Sequence, residues 1–143
     1  AVAVTDLDVR PGPLGSSPDT LVARDGVVFF AATDAQGDRE LWISDGTAVG
    51  TQMVANLAPG SSSPVPLRAL GTRRILMTAD DGITGRELYE SDGTAAGTRR
   101  LTDLNPGSGS ADVAGVHVRR DGLVLVAAND GSHGRELFVY DPG

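Results

Sequence analysis

The feature that most constrains this chain is an internal repeat. Arg39-Glu40-Leu41-Trp42, Arg86-Glu87-Leu88-Tyr89 and Arg135-Glu136-Leu137-Phe138 recur at intervals of 47 and 49 residues. The match extends around each copy: Asp45-Gly46-Thr47-Ala48-Val49-Gly50-Thr51 returns as Asp92-Gly93-Thr94-Ala95-Ala96-Gly97-Thr98, and Asn56-Leu57-Ala58-Pro59-Gly60 as Asp103-Leu104-Asn105-Pro106-Gly107. A period in the forties restricts a chain to architectures in which one supersecondary unit is copied and the copies bury each other's apolar faces.

Each unit reads as four short strands separated by turns. The first is weak, around Leu21-Val22-Ala23, Leu67-Arg68-Ala69 and His117-Val118. The second is an apolar run, Val27 to Ala32, Arg74 to Ala79 and Leu123 to Ala128, suited to burial on both faces. A turn follows at Asp34, Asp81-Gly82 and Asp130-Gly131, and Asp-Gly is a strong hairpin signal. The third strand opens with Arg-Glu-Leu-aromatic, in which Leu and the aromatic point to opposite faces. An Asp-Gly-Thr turn leads to a fourth strand, expected over 51–57 and 98–104. Pro-Gly and a Ser-rich stretch then carry the chain onward. Gly and Pro interrupt nearly every window in which a helix would have to form. The expected fold is all-β: β-propeller blades, three four-stranded antiparallel units of about 47 residues. All six aromatics fall in second or third strands, where they would fill the space between facing sheets.

The ends are out of phase with the repeat. Residues 1–12, with Val2, Val4 and Leu7 before Pro11-Gly12, resemble a fourth strand and its trailing loop. The chain closes on Arg135 to Tyr140, a third strand. The expected layout within one repeat domain, 1–143, is thus an orphan fourth strand (1–12), unit one (20–60), unit two (66–107) and an incomplete unit three (115–143). Rings of blades generally have about four to eight members, so three do not close alone. Two expectations follow: a homo-oligomer in which chains exchange strands, Val2, Val4 and Leu7 set against Leu137 and Val139, or a piece of a longer propeller.

Composition excludes several classes. There is no cysteine, which removes disulfides and thiolate-ligated metals. All 12 basic residues are arginine, which removes Schiff-base chemistry and a phosphate-loop lysine. A net charge of −7 argues against binding a nucleic-acid backbone. No apolar run approaches the roughly 20 residues of a membrane-spanning helix. Nothing in the pattern calls for a cofactor.

The pattern Gly-Arg-Glu-Leu-Trp-x-x-Asp-Gly-Thr-x-x-Gly-Thr, followed by Asp-x-x-Pro-Gly, resembles the ELWxxDGT repeat family of bacterial, largely secreted or surface-associated proteins. The resemblance covers nearly the whole chain in three copies. It implies a propeller-like repeat and an extracytoplasmic, cell-surface location, with no catalytic activity general to the family. The third copy departs from it, with Tyr140-Asp141-Pro142-Gly143 in place of the Asp-Gly-Thr turn.

The candidate site residues divide by chemistry. The Ser-Asp-Gly-Thr turns read as structural: Asp accepts N–H bonds across its own turn, and Gly supplies positive φ. Asp34, Asp80, Asp81, Asn129 and Asp130 are calcium candidates, although each turn offers fewer than the six to eight oxygens that ion takes. Arg39, Arg86 and Arg135, with Trp42, Tyr89 and Phe138, are candidates for one shallow ligand site per blade, as in sugar-binding propellers. Recurrence in every unit favours a role in the blade, through cross-strand pairing or a buried ion-pair network. Only His117 and His133 are available as catalytic bases, and repeats this alike leave few positions for one asymmetric active site. The expected function is therefore non-enzymatic, a self-associating assembly or interaction scaffold whose further partner is a surface protein or polysaccharide. A lectin-like propeller and a calcium-stabilised surface domain are the alternatives.

Overall fold

The computed structural model describes residues 14–143, which form eleven strands and no helix. The first sheet is β1 (Asp19–Arg24), β2 (Val27–Thr33), β3 (Arg39–Ser44) and β4 (Gln52–Ala55). The second is β5 (Val65–Leu70), β6 (Arg74–Asp80), β7 (Arg86–Ser91) and β8 (Arg99–Arg100). The third is β9 (Gly115–Val118), β10 (Val124–Asn129) and β11 (Arg135–Tyr140). Each is an antiparallel meander in chain order. The repeat is preserved in the pairing: Phe30 faces Trp42, Met77 faces Tyr89 and Val126 faces Phe138 across the second and third strands. The expected orphan strand, with Val2, Val4 and Leu7, lies outside the described residues.

Period-two alternation gives each sheet two different faces. On one, which we call the leucine face, stand Leu41 in the first sheet and Leu88 in the second. On the other, the aromatic face, stand Trp42, Tyr89 and Phe138. The leucine face of the first sheet (Phe29, Leu41, Val54) packs on the aromatic face of the second (Ile75, Met77, Ala79, Tyr89). The leucine face of the second (Leu76, Leu88) packs in turn on the third (Val124, Val126, Ala128), with Phe138 and Tyr140 at the margin. The second sheet is thus covered on both sides, which is why β6 is buried for five consecutive residues while β10 is fully buried only at alternate ones. The two cores have the same polarity, always leucine face onto aromatic face.

The sheets fan rather than stack in parallel. Among the described residues, close backbone approach between sheets involves their first and second strands, β1 with β5 and β6, β2 with β5, and β5 with β9. The third and fourth strands diverge. Serine-rich linkers staple neighbours together. Ser61 Oγ accepts from Arg39 N–H and Ser63 N–H donates to the Arg39 carbonyl, while the Ser62 carbonyl accepts from Asp80 N–H of the next sheet. In the second linker, Ser110 Oγ accepts from Arg86 N–H, Ala111 N–H donates to the Arg86 carbonyl, and the Ala111 carbonyl accepts from Asn129 N–H.

Three details differ from expectation. The fourth strands are shorter than 51–57 and 98–104. An extra residue in β4, Val54, opposite the Leu41–Trp42 step of β3 disturbs the first ladder, and β8 ends at Arg100, although Leu101 N–H still donates to the Leu88 carbonyl. The hairpins after the second strands are loops over 34–38, 81–85 and 130–134 rather than two-residue turns. Their aspartates bond N–H groups two to four residues on and so widen the turn. The buried ionic network is not built from the recurring Arg-Glu pairs. It lies at Glu90, whose carboxylate takes Arg74 at 2.8 Å and Arg99 at 2.7 Å beside the third sheet.

The two cores set distinct costs for one repeat position. Leu88→Ala removes a side chain with no exposed surface and is expected to destabilise by about 2–5 kcal/mol. In the monomer, Leu137→Ala changes stability by no more than about 0.5 kcal/mol, because that side chain is exposed. Urea unfolding of the two variants beside the parent chain measures the difference.

Candidate functional site

The Ser-Asp-Gly-Thr turns are built alike, atom by atom. Asp45 Oδ1 accepts from Thr47 N–H and Thr47 Oγ1, Thr47 Oγ1 accepts from Gly50 N–H, and Ser44 Oγ meets Thr51 Oγ1 at 2.7 Å. Asp92, Thr94, Gly97, Ser91 and Thr98 repeat every bond. Gly46 and Gly93 sit at a φ of +89°, and a side chain at Gly50 or Gly97 would overlap the aspartate carboxylate. These bonds from Thr47 and Thr94 hold the Asp45 and Asp92 carboxyls below their ordinary range. Oδ1 of each aspartate and the Ser and Thr hydroxyls are occupied in closing the turn.

The calcium candidates are likewise engaged by backbone. Asp34 Oδ1 accepts from Gln36 and Asp38 N–H, Asp80 from Gly82 N–H, and Asp81 from Ile83 and Thr84 N–H. Asn129 accepts from Gly131 N–H, and Asp130 from Ser132 and His133 N–H. His133 Nδ1 lies 2.8 Å from Asp130 Oδ2, and this bond raises the imidazole pKa and lowers the carboxyl's. Among the described residues, no three His, Asp or Glu side chains come together as a metal cage.

The recurring Arg-Glu pairs separate on folding. Glu40 is fully buried and accepts from Ser62 N–H at 2.9 Å and Ser62 Oγ at 2.5 Å. Glu87, also fully buried, accepts from Leu104 N–H at 3.0 Å and Asn105 N–H at 3.4 Å. Each carboxylate is a latch that ties the segment leaving its fourth strand back to its own sheet. Arg39 reaches Asp19 and the Ser17 carbonyl, and Arg86 reaches Thr78. Of the per-blade ligand candidates, Tyr89 is buried between the first two sheets, Trp42 and Phe138 are half-buried, and Arg135 is exposed. Desolvation of the Tyr89 hydroxyl, with the Asp81 charge beside it, pushes its pKa up to about 12.

A cleft of about 320 Å³ opens between the first two sheets, where Arg24, Asp25, Arg73, Asp92 and Thr94 rim Phe29 and Ile43. Arg24 is already pinned there by the Gly71 and Thr72 carbonyls. His117 lines a separate open hollow with Arg119, Arg120 and Asp121, well away in sequence from the turn that holds His133.

The third sheet is where these devices lack their counterparts. Among the described residues, nothing pairs with the outer edge of β11, the edge that carries β4 on β3 and β8 on β7. Glu136 stands at the latch position and is exposed. Leu137 is 67% exposed, whereas Leu41 and Leu88 at the same repeat position are 0% exposed; Val139 is 63% exposed. At the other end, the Ser16 carbonyl accepts from Thr33 N–H just as the Ser62 carbonyl accepts from Asp80 N–H. This is half of a linker staple. The sequence pattern located β11 as a terminal third strand; it did not reveal the latch, because a buried acceptor for backbone N–H looks in sequence like an ion-pair partner for the adjacent arginine. Compared with family models, with curated proteins and with solved structures, the chain matches none.

The latch carries a pH signature. Burial raises the Glu40 and Glu87 carboxyls above the ordinary value of 4.5, more than their hydrogen bonds lower them. A group with a raised folded pKa binds its proton more tightly in the folded chain, so its contribution is full below pH 4.5 and declines as pH rises through the folded value. The double variant E40Q/E87Q is expected to flatten this decline, read as urea midpoints from pH 4.5 upward. Of the single variants, E87Q costs more, about 1–3 kcal/mol, because an amide NH₂ then confronts a backbone N–H. In E40Q the Ser62 hydroxyl reverses its role and accepts.

Proposed function

We propose that this chain is a non-enzymatic, extracytoplasmic module of β-propeller type that serves as an assembly and interaction scaffold, its chains joined by strand exchange. The observation that carries the reading lies in the third sheet: among the described residues no strand pairs with the outer edge of β11, and Glu136 is exposed, where the first two sheets have a fourth strand and a closed latch. The chain also carries a spare fourth-strand sequence. Val4-Thr5-Asp6-Leu7-Asp8 repeats Leu101-Thr102-Asp103-Leu104-Asn105, the segment whose N–H groups reach Leu88 and Glu87.

In this reading, the fourth-strand sequence near the start of one chain completes the third sheet of another. Open strand edges invite pairing, and a matched strand is the specific way to cover one. The fan of sheets about their first strands supports blade geometry, and two such chains supply six sheets, within the usual range for a closed ring. The extracytoplasmic location and a surface protein or polysaccharide as further partner rest on the resemblance to the ELWxxDGT repeat family. Among the described residues no helix is long and apolar enough to cross a membrane.

Light scattering on a size-exclusion column tests the proposal. The parent chain is expected at about twice 14.7 kDa. Deletion of residues 1–8, or Val4→Pro, which takes a backbone N–H out of that sequence, is expected to lower mass and melting temperature together. An unchanged mass and melting temperature after both changes would refute strand exchange.

A further inference from the structure

We infer that the cleft between the first two sheets is a binding site for a free apolar α-amino acid: Val27, Phe29 and Ile43 take its side chain, Arg73 its carboxylate and Asp92 its ammonium group. The inference goes beyond the scaffold reading and does not depend on strand exchange, since every residue involved belongs to one chain.

The cleft opens where the first two copies of the repeat stop being alike. Val27, Ile43 and Gln52 of the first unit correspond by repeat position to Arg74, Glu90 and Arg99 of the second. In the second unit these charges answer one another, Glu90 being 2% exposed and bound by both arginines. In the first unit the same three positions are uncharged, and Val27 and Ile43 border a cleft of about 320 Å³. That volume of about 320 Å³ lies at the small end of ligand sites, which span about 300–1,000 Å³. Its floor is apolar, with half-buried Val27 and Ile43 packed beside buried Phe29. Gly93, at positive φ, lets the Asp-Gly-Thr turn of the second sheet come down onto this floor, since a Cβ there would lie 2.7 Å from Ile43 Cδ1.

The rim holds both committed and open charges. Arg24 donates to the Gly71 and Thr72 carbonyls and lies 3.7 Å from Asp25, so it braces one hairpin against the next. Arg73 is exposed and, among the described residues, makes no hydrogen bond or ion pair. Asp92 engages Thr94 through Oδ1 and leaves Oδ2 open. The open groups are thus one guanidinium and one carboxylate beside an apolar floor. Guanidinium binds carboxylate and carboxylate binds ammonium through charge-assisted hydrogen bonds. A ligand that carries both charges and an apolar side chain answers all three features, whereas one of a single charge sign sets like against like at Arg73 or Asp92.

Isothermal titration of the full chain with L-leucine and L-phenylalanine tests the site. Saturable binding of at least one is expected, and Arg73→Gln, at an exposed residue without a partner, is expected to weaken it by about ten-fold or more. Glycine lacks the side chain, leucinamide the carboxylate and N-acetyl-leucine the ammonium group; each is expected to bind at least about ten-fold more weakly than leucine. This ligand series needs no variant, so it decides the matter even where Arg73→Gln loses its sheet signal by circular dichroism. No saturable binding at millimolar concentration overturns the inference, as does unchanged affinity in a folded Arg73→Gln chain. Leucinamide binding as tightly as leucine would mark a site for a peptide N-terminus, and N-acetyl-leucine binding as tightly would mark a site for a bare carboxylate; either result overturns it as well.

Discussion

A sheet that is apolar on both faces needs a neighbour on each side, and the structure depends on this constraint. The second sheet meets it completely. Its leucine and aromatic faces are both covered, and Ile75, Leu76, Met77 and Ala79 are buried in succession along one strand. At about 25 cal/mol per Å² of apolar surface removed from water, burial of this kind is the main term holding short strands in place. The first sheet packs Phe29 and Leu41 on the second and encloses Phe30 and Ala32 on its other face, whereas the third leaves Leu137 and Val139 exposed. That difference turns a repeat into a statement about neighbours: Leu137 is exposed where Leu88, at the same repeat position, is buried against the third sheet.

The polar devices serve the same end by fixing the order and spacing of the sheets. A buried carboxylate is costly unless its oxygens are satisfied, and Glu40 and Glu87 meet this with donors from the linker that leads to the next sheet. Glu90 is satisfied within its own sheet, by Arg74 of β6 and Arg99 of β8. These groups add specificity more than stability, because their desolvation offsets much of what their bonds contribute. The Asp45 and Asp92 turns are different. They are exposed and satisfied locally, and they rigidify the path between third and fourth strands without contributing to either core.

Much of this was legible in the residues. The period gave the number of units, Arg-Glu-Leu-aromatic marked every third strand, and the opposite orientations of Leu and aromatic followed from strand geometry. The turns were legible because Ser-Asp-Gly-Thr satisfies its own hydrogen bonds. The latch was not: Glu40 beside Arg39 reads as an ion pair, and only the path of the linker brings Ser62, rather than an arginine, to the carboxylate. Nor was the width of the 34–38, 81–85 and 130–134 loops, since Asp-Gly is compatible with a tighter turn.

The sequence by itself determined the all-β character, the unit length and the two-faced alternation, because these follow from local pattern and from the geometry of a single extended strand. Only the tertiary structure decided which face meets which, where the buried charges find partners, and that Leu137 is left in solvent while Leu41 and Leu88 are enclosed. Burial is a property of neighbours. Three copies of one motif carry the same local instruction, and their environments differ because, among the described residues, only the second sheet shares a core with a sheet on each side.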